Sequence, residues 1–158
     1  MQMKIKNLSE LKNIISKLKK EGKKIVFTNG CFDILHIGHI RCLKEAKKHG
    51  DILVVGLNSD SSVRRLKGEN RPYIEEKERA EIISSLEMVD YVIIFDEDTP
   101  LKIIKELKPD VIVKGGDYKE KDVVGGDFVK RYGGKVVIAP LVKGRSTSLL
   151  VEKIKKNG

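Results

Sequence analysis

The sequence contains few of the residues that define several common classes of protein. It has no tryptophan, four tyrosines, four phenylalanines and two cysteines, Cys31 and Cys42. Their spacing matches neither a disulfide framework nor a CxxC pair, so we expect two reduced thiols. No apolar run approaches the roughly 20 residues that cross a bilayer, and residues 1–6 lack a signal-peptide pattern. These absences argue against a disulfide scaffold and a helical membrane protein, and they predict a cytoplasmic protein.

Acidic residues are outnumbered by basic ones. The 158 residues include 32 Lys and Arg against 23 Asp and Glu, which gives a formal net charge of +9. Such a balance favours anionic partners, namely nucleotides, sugar phosphates or nucleic acid, and charge alone does not choose among them. With 40% hydrophobic residues the chain is too apolar for disorder, and its length fits one domain with one core.

Helical and strand-like hydrophobic patterns alternate along the chain. Leu11, Ile14, Ile15 and Leu18 follow the spacing of an amphipathic helix at about residues 7–21. The predicted strands are 24–28, 52–57, 91–95, 111–113 and 135–139. The other predicted helices are 37–49, 75–87, 100–107 capped by Asp98 or Thr99, a short one near 127–132, and one from Ser146. A polar stretch fills residues 58–73. This alternation predicts an α/β, Rossmann-like, doubly wound, mostly parallel five-stranded sheet in a single domain.

The residues that follow the strands are the chemical candidates, because ligands of open parallel sheets bind beyond the carboxyl ends of the strands. His36 and His39 lie three residues apart at the start of a predicted helix and therefore share one face. Gly38 between them allows close approach to the backbone. A helix N-terminus attracts anions, and two imidazoles would add hydrogen-bond donors for a phosphate. Neither a GxGxxG nor a P-loop motif is present, so neither type of site is expected.

These motifs carry a resemblance to a known family. The His36-Ile-Gly-His39 sequence, together with Arg145-Ser-Thr-Ser148, resembles the nucleotidyltransferase superfamily. A longer match is similar to the adenylyltransferase domain of bacterial ADP-heptose synthase; it comprises TNGCFDILHIGH at 28–39, NSD at 58–60, RLKG at 65–68, RP at 71–72, VKGGDY at 113–118 and GRST at 144–147. The similarity runs from about residue 4 to 155. Bifunctional members carry a preceding sugar kinase, so the resemblance implies a stand-alone transferase without a kinase domain.

The resemblance implies transfer of AMP from ATP to D-glycero-β-D-manno-heptose 1-phosphate, with release of pyrophosphate. It implies that His36 and His39 are catalytic donors to the α-phosphate. It also implies that Lys67 reaches phosphate from a mobile stretch, and that Ser146 and Thr147 hold the β- and γ-phosphates. The other nucleotide-binding residues that it implies are Thr28, Asn29, Gly30, Cys31, Phe32, Gly38, Lys114, Gly115, Asp117 and Arg145. The implied substrate-binding residues are Asp33, Asn58, Asp60 and Arg79.

The expected partners follow from the same resemblance. They are small molecules, ATP and a sugar 1-phosphate, with Mg²⁺ bridging the triphosphate largely through water and phosphate oxygens. No metal ligand is assigned to the protein itself. Binding to nucleic acid or to a membrane is not expected, whereas assembly into a homodimer is expected.

Simpler structural roles compete with these assignments. Asp33 could cap the following turn, Asn58 and Asp60 could form an Asx-turn, and Ser146 is a favourable N-cap in any fold. His49, which precedes Gly50, is interpreted as a helix C-terminal residue and not as a site residue.

Three other functions stay open at this stage. One is glycerol-3-phosphate cytidylyltransferase, because the choice of base is not visible in the residues. Another is a basic nucleic-acid binding module built on Arg64, Arg65, Lys67 and Arg71, although this stretch lacks interleaved aromatic residues for base stacking. The third is a metal hydrolase with both histidines and Cys31 or Asp33 as ligands.

Overall fold

The computed structural model of the protein describes residues 2–116, 118–140 and 142–158. Five parallel strands form one sheet: β1 (Ile25–Gly30), β2 (Ile52–Asn58), β3 (Tyr91–Phe95), β4 (Val111–Gly115) and β5 (Lys135–Ala139). Their order is β3-β2-β1-β4-β5. The predicted Rossmann-like, doubly wound fold is therefore confirmed.

Helices connect the strands and cover both faces of the sheet. They are α1 (Leu8–Lys20), α2 (Ile37–Lys47), α3 (Asp60–Lys67), α4 (Glu76–Ser84), α5 (Leu101–Leu107), α6 (Gly126–Lys130) and α7 (Thr147–Asn157), with one-turn 3₁₀ helices at Gln2–Lys4 and Glu120–Asp122. One hydrophobic cluster joins α1, α5 and α6 to the sheet, and a second joins α2 and α4 to its other face. Because β2 is covered on both sides, Leu53, Val54, Val55 and Leu57 are all fully buried.

The segment between β2 and α4 differs from its prediction. Residues 58–73 were expected to form a polar irregular stretch, but they contain α3, whose first turn is capped by the Ser59 side chain accepting from the Ser62 amide. Only Ser62 and Val63 of this helix are buried, so the sequence shows almost no apolar periodicity there. Lys67 is the last residue of α3 and does not lie in an irregular stretch.

The expected side-chain cap of α5 was also wrong. The helix begins after Pro100, and neither Asp98 nor Thr99 occupies the cap position. Thr99 Oγ1 accepts only a long hydrogen bond of 3.4 Å from the Leu101 amide. Elsewhere the differences are at element ends, as where β4 continues to Gly115 and α2 stops at Lys47. Within the described residues, no helix is long and apolar enough to cross a membrane.

Candidate active site

A cleft opens beyond the carboxyl end of β1, which pairs with β2 on one side and β4 on the other. The strand order reverses its direction there, and such switch points are where α/β sheets bind ligands. Two overlapping cavities, of about 440 Å³ and 350 Å³, make up the cleft. Both are lined by Asn29, Gly30, Cys31, Phe32, His36, His39, Lys67, Lys114 and Tyr118.

The two cavities differ in their remaining walls. The larger one, here called the front lobe, adds Asp33, Asn58, Leu66, Arg71, Asp98–Pro100, Asp122–Val124 and Ser146–Ser148. The smaller one, the rear lobe, adds Thr28, Gly38, Cys42, Gly115, Gly116, Pro140, Val142 and Arg145. The two histidines thus lie where the lobes meet.

His36 and His39 are fixed by hydrogen bonds at the start of α2. His36 caps the helix, and its Nδ1 accepts from the Gly38 amide at 3.1 Å, while His39 Nδ1 accepts from the His36 amide at 3.2 Å. A neutral imidazole that accepts at Nδ1 carries its proton on Nε2. Both rings therefore offer an Nε2–H donor, and their centroids lie 3.8 Å apart.

Both histidines are held in the neutral form near pH 7. Burial, with the nearby His36 as a second cause, lowers the pKa of His39 to about 4. Burial and the positive charge of Arg145 lower the pKa of His36 below its ordinary value. Such groups donate hydrogen bonds at neutral pH without adding charge to the site.

Gly38 allows the two rings to pack this closely. A Cβ atom at this position would lie 2.7 Å from Cε1 and 2.9 Å from Nδ1 of His36. Any side chain here would displace the His36 ring, because real Cβ atoms do not approach other atoms so closely. The observed position of the His36 ring therefore requires glycine at position 38.

Cationic side chains surround the histidine pair. Lys67 is exposed at the end of α3, and Lys114 is half-buried at the end of β4, with its Nζ 5.0 Å from the centroid of the Tyr118 ring. Burial lowers the pKa of Lys114, and the charge of Lys67 lowers it further, in keeping with two ammonium groups converging on one cleft. Arg145 adds a third cation to the rear lobe. This concentration of positive charge suits a polyphosphate.

The N-terminus of α7 forms another wall of the front lobe. Ser146 caps the helix by accepting from the Leu149 amide, and the Thr147 hydroxyl donates to the Ile34 carbonyl at 3.0 Å. The amides of Thr147 and Ser148 precede the first intrahelical donor, as in any helix, and they lie at the cleft. Thr147 can thus offer an anion its amide, whereas its hydroxyl proton is already engaged.

Asp33 is buried beneath the cleft and holds a segment that is distant in sequence. Its carboxylate accepts from the amides of Tyr73 and Ile74 and from Arg71 Nε, the last at 2.7 Å. Burial by itself would raise the pKa of Asp33, but these hydrogen bonds outweigh it and hold the pKa below its ordinary value. The carboxylate therefore organises the cleft wall and does not merely cap its own turn.

Arg79 does not face the cleft, contrary to its expected role as a substrate contact. The side chain is fully buried and donates to the carbonyls of Ile74, Cys31 and Asn58 and to the Asp60 carboxylate, all at 2.7–2.8 Å. Each nitrogen of its guanidinium is engaged, so none is available to a ligand. Asp60 is likewise turned toward Arg79 and is absent from the residues that line the cleft.

The buried wall of the cleft consists of small and apolar groups. Cys31 and Cys42 are free cysteines, as expected, and burial raises the pKa of both thiols. Phe32 adopts a left-handed backbone with φ of 48° and packs its ring 5.3 Å from that of His39. The Asn58 amide is buried and donates to Ser62 Oγ at 3.0 Å.

The structure brings most of the predicted site residues to one cleft. Those that line it are Thr28, Asn29, Gly30, Cys31, Phe32, Asp33, His36, Gly38, His39, Asn58, Lys67, Lys114, Gly115, Arg145, Ser146 and Thr147. Asp117 lies outside the described residues. No part in nucleotide or substrate binding was predicted for Arg71, Tyr118, Ser148 or the two rims at 98–100 and 122–124. Arg71, Tyr118 and Ser148 belong to the matched motifs, which was the available indication.

No metal centre is assembled by the part of the chain that the structure describes. Nowhere in it do three or more His, Cys, Asp or Glu side chains form a group that could hold an ion. The metal-hydrolase hypothesis needs such a group of ligands at His36 and His39. It therefore gains no support.

Comparisons with known proteins identify a matching family and close relatives. Residues 27–143 match the family model described as Cytidylyltransferase-like. The chain is 61% identical over 151 residues to "Bifunctional protein HldE" of Geobacter metallireducens and 56% identical over 153 residues to that of Geobacter sulfurreducens. These alignments cover 96% and 97% of this chain but only 31% of each relative. The chain thus spans about a third of the length of the curated relatives it matches.

Two solved structures resemble the fold. A lipopolysaccharide core biosynthesis protein from Thermoplasma volcanium superposes with a TM-score of 0.63 at 38% identity, covering 77% of this chain and 98% of that one. A pantoate-beta-alanine ligase from Francisella tularensis, complexed with Beta-gamma ATP and beta-alanine, gives a TM-score of 0.65 at 18% identity, covering 91% and 68%. The second likeness supports the fold alone.

Proposed function

Because the chain belongs to the cytidylyltransferase-like family of nucleotidyltransferases, we propose that it transfers AMP from ATP to D-glycero-β-D-manno-heptose 1-phosphate. The products are ADP-heptose and pyrophosphate. The relatives named HldE and the lipopolysaccharide core protein support this choice of acceptor, as does the motif resemblance. The observation that carries the proposal is the His36 and His39 pair, which presents two neutral Nε2–H donors between Lys67, Lys114 and Arg145.

The reaction needs positioning and charge stabilisation more than proton transfer. A phosphate monoester has a second pKa of about 6, so the acceptor is largely dianionic near neutral pH. One of its oxygens attacks the α-phosphorus of ATP, and the bond from that phosphorus to the bridging β-phosphate oxygen breaks. The electron pair leaves with pyrophosphate. No covalent enzyme intermediate and no general base are required, in keeping with two neutral histidines.

Different residues of the cleft bind different phosphate groups of ATP. His36 and His39 donate to the α-phosphate and its bridging oxygen as charge develops there. Lys67 and Lys114 hold phosphate charge beside them, and Arg145 contributes from the rear lobe. At the start of α7, the Ser146 hydroxyl and the amides of Thr147 and Ser148 bind the β- and γ-phosphates.

The rear lobe takes the nucleoside in this proposal. Its floor comprises Thr28 to Phe32 of the β1 end and loop, with Gly38, Gly115 and Cys42. Asp117, two residues beyond β4 in the sequence, is proposed to contact the nucleotide. Asn58 and Asp60 act on the substrate through the walls that they organise, since the Asn58 amide bonds Ser62 and Asp60 pairs with Arg79.

Mg²⁺ enters this proposal as part of the ATP substrate. The described side chains form no ligand group for an ion, and both oxygens of Asp33 are engaged by Arg71 and two amides. Mg²⁺ commonly keeps several waters and binds substrate phosphates, so a protein cage is not needed. When bound, the ion would neutralise triphosphate charge.

The main alternative is a CTP-dependent transfer to glycerol 3-phosphate. The matched family is described as cytidylyltransferase-like, which favours this alternative. The homodimer and the cytoplasmic location implied by the resemblance stay predictions, as does the absence of nucleic-acid binding.

A matrix of substrates tests the proposal. Pyrophosphate release is measured with ATP, CTP, GTP and UTP, each with heptose 1-phosphate and with glycerol 3-phosphate, using Mg²⁺ throughout. ATP with heptose 1-phosphate is expected to exceed every other pair by at least tenfold in kcat/KM, about 1.4 kcal/mol of discrimination. A His36→Ala preparation, purified in parallel, reports any contaminating activity. Preference for CTP with glycerol 3-phosphate would replace the proposal by its alternative.

A further inference from the structure

Arg71 is the one cleft-lining arginine of the front lobe among the described residues, and the sequence predicted no part for it in nucleotide or substrate binding. It lies after α3, separated from that helix by Gly68, whose φ of 107° ends the helical path. The Arg71 amide donates to the Gly68 carbonyl at 3.1 Å, which fixes the start of the returning chain. The side chain is only 13% exposed, far less than that of an ordinary surface arginine.

Only one nitrogen of the Arg71 guanidinium, Nε, donates a hydrogen bond to a described residue. Its Nε donates to Asp33 Oδ2 at 2.7 Å, and its Cζ lies 4.9 Å from the centroid of the Tyr73 ring. Asp33 is in turn fixed by two backbone amides and is only 1% exposed on its side chain. The ion pair and the ring contact together restrict the rotation of the guanidinium. They therefore lower the entropic cost of binding a ligand through it.

The other two nitrogens of Arg71 remain open. No described residue accepts a hydrogen bond from either Nη group. Neither is sealed from solvent, since the only buried side-chain nitrogen or oxygen without a partner in the described residues is His49 Nε2. The side chain therefore presents paired N–H donors of fixed orientation to the front lobe. Planar paired donors of this kind match phosphate oxygens.

We propose that Arg71 is a phosphate-binding residue of this enzyme and that Asp33 is the positioning residue that orients it. This inference rests on the proposed function, because it assigns a contact within the same cleft. The phosphoryl group has two possible sources in the reaction: the phosphate monoester of the acceptor, and the β- and γ-phosphates of ATP. Both carry two or more negative charges near neutral pH and present phosphate oxygens to paired N–H donors.

Equilibrium binding tests Arg71 without requiring turnover. Calorimetry measures Kd for pyrophosphate, for MgATP and for heptose 1-phosphate on the wild type, Arg71→Met, Arg71→Lys and Arg64→Met. Arg64 is the matched control, because it is exposed on α3 and does not line the cleft, yet its loss removes the same charge. Arg71→Met is expected to raise the dissociation constant for heptose 1-phosphate, or those for pyrophosphate and MgATP together, on the order of 10- to 100-fold. Arg64→Met should change all of them little.

The ligand whose affinity falls identifies the source of the phosphoryl group that Arg71 binds. Loss confined to heptose 1-phosphate assigns Arg71 to the acceptor, whereas parallel loss for pyrophosphate and MgATP assigns it to the triphosphate. Arg71→Lys should recover only part of the affinity, because an ammonium cannot both bond Asp33 and offer two parallel donors. Equal, small changes in Arg71→Met and Arg64→Met would overturn the proposal.

Asp33→Asn tests the positioning role. An Asn oxygen can still accept from the Tyr73 and Ile74 amides, but its NH₂ group no longer pairs with Arg71 Nε. The variant should weaken the same ligand as Arg71→Met and add little further loss in the double variant, with melting temperature measured for each. Fully additive losses would show that Asp33 acts independently of Arg71. If the wild-type protein does not bind heptose 1-phosphate, the proposed acceptor is wrong. The pyrophosphate and MgATP titrations would still test whether Arg71 binds phosphate.

Discussion

At the residue scale, the two histidines of the cleft differ in what surrounds them. His39 lies between the rings of Phe32 and His36, with centroid distances of 5.3 Å and 3.8 Å. His36 is nearer to Arg145, whose charge contributes to its lowered pKa. Because each Nδ1 is committed to a backbone amide, each ring can act on a ligand only through Nε2. The chemistry of the pair is therefore that of two fixed neutral donors.

This geometry predicts different outcomes for two substitutions of His39. His39→Ala removes the donor and should lower kcat by about 10²- to 10³-fold, the usual cost of one preorganised donor. His39→Gln keeps an N–H near the position of Nε2 and should retain more activity than the alanine variant. Turnover is followed by pyrophosphate release, and thermal melts check that both variants fold. Equal activity in the two variants would mean that the Nε2–H donor is not what His39 supplies.

At the scale of elements, helices α1 and α7 both have a side-chain N-cap, but only α1 packs buried residues against the core. Asn7 and Glu10 form a reciprocal capping box at the start of α1, which buries Leu11 and Ile15 in the core. Ser146 caps α7, which buries none of its residues and forms the wall of the front lobe. The first cap therefore serves the stability of the fold, whereas the second serves the cleft.

The two caps should respond oppositely to removal. Asn7→Ala should lower the free energy of unfolding by about 1 kcal/mol, the typical cost of a lost cap, without changing pyrophosphate affinity. Ser146→Ala should weaken pyrophosphate binding and leave the unfolding midpoint almost unchanged, because fraying of α7 exposes no core. Urea unfolding and calorimetry on the same preparations separate the two effects. If Ser146→Ala shifted the midpoint as far as Asn7→Ala, α7 would have to be part of the cooperative core.

At the scale of the whole molecule, Arg79 joins segments that are far apart in the sequence. Its guanidinium bonds the carbonyls after β1 and at the end of β2, the segment before α4, and the first residue of α3. These segments together form the wall behind Cys31 and Asn58. A fully buried cation is stable here because each guanidinium nitrogen donates a hydrogen bond and its charge is paired with the Asp60 carboxylate.

Loss of Arg79 should therefore be among the most damaging single changes. Arg79→Met leaves three carbonyls and the Asp60 carboxylate without their partner, and we expect a loss of about 3–5 kcal/mol in the free energy of unfolding. Arg79→Lys should lie between this variant and the wild type. Arg65→Met is the control, since its pair with Asp98 is half-exposed on both sides and should be worth about 0–1 kcal/mol. Denaturant unfolding measures all three, and similar losses in Arg79→Met and Arg65→Met would contradict this account.

The sequence by itself determined the fold class and the central motif. Alternating apolar runs and helical periodicities specify parallel strands with helical crossovers, because a short continuous apolar run suits a strand buried on both faces and a 3.6-residue period suits a helix buried on one. The His36-Gly38-His39 spacing likewise identified two imidazoles at a helix start, since three residues make nearly one turn. The fold class and the histidine motif can be predicted because both depend on residues that lie close together along the chain.

Only the tertiary structure decided the walls of the cleft. Helix α3 was not predicted because Val63 and Leu66 are its only apolar residues, too few to mark an apolar helical face. Arg79 was expected to face the substrate, since the residue type does not reveal that the carbonyls of Cys31, Asn58 and Ile74 accept its hydrogen bonds. Asp33 and Arg71 are 38 residues apart, and their pairing follows from how the chain returns to β1. Long-range contacts of this kind depend on the packing of complete elements, which local composition does not encode.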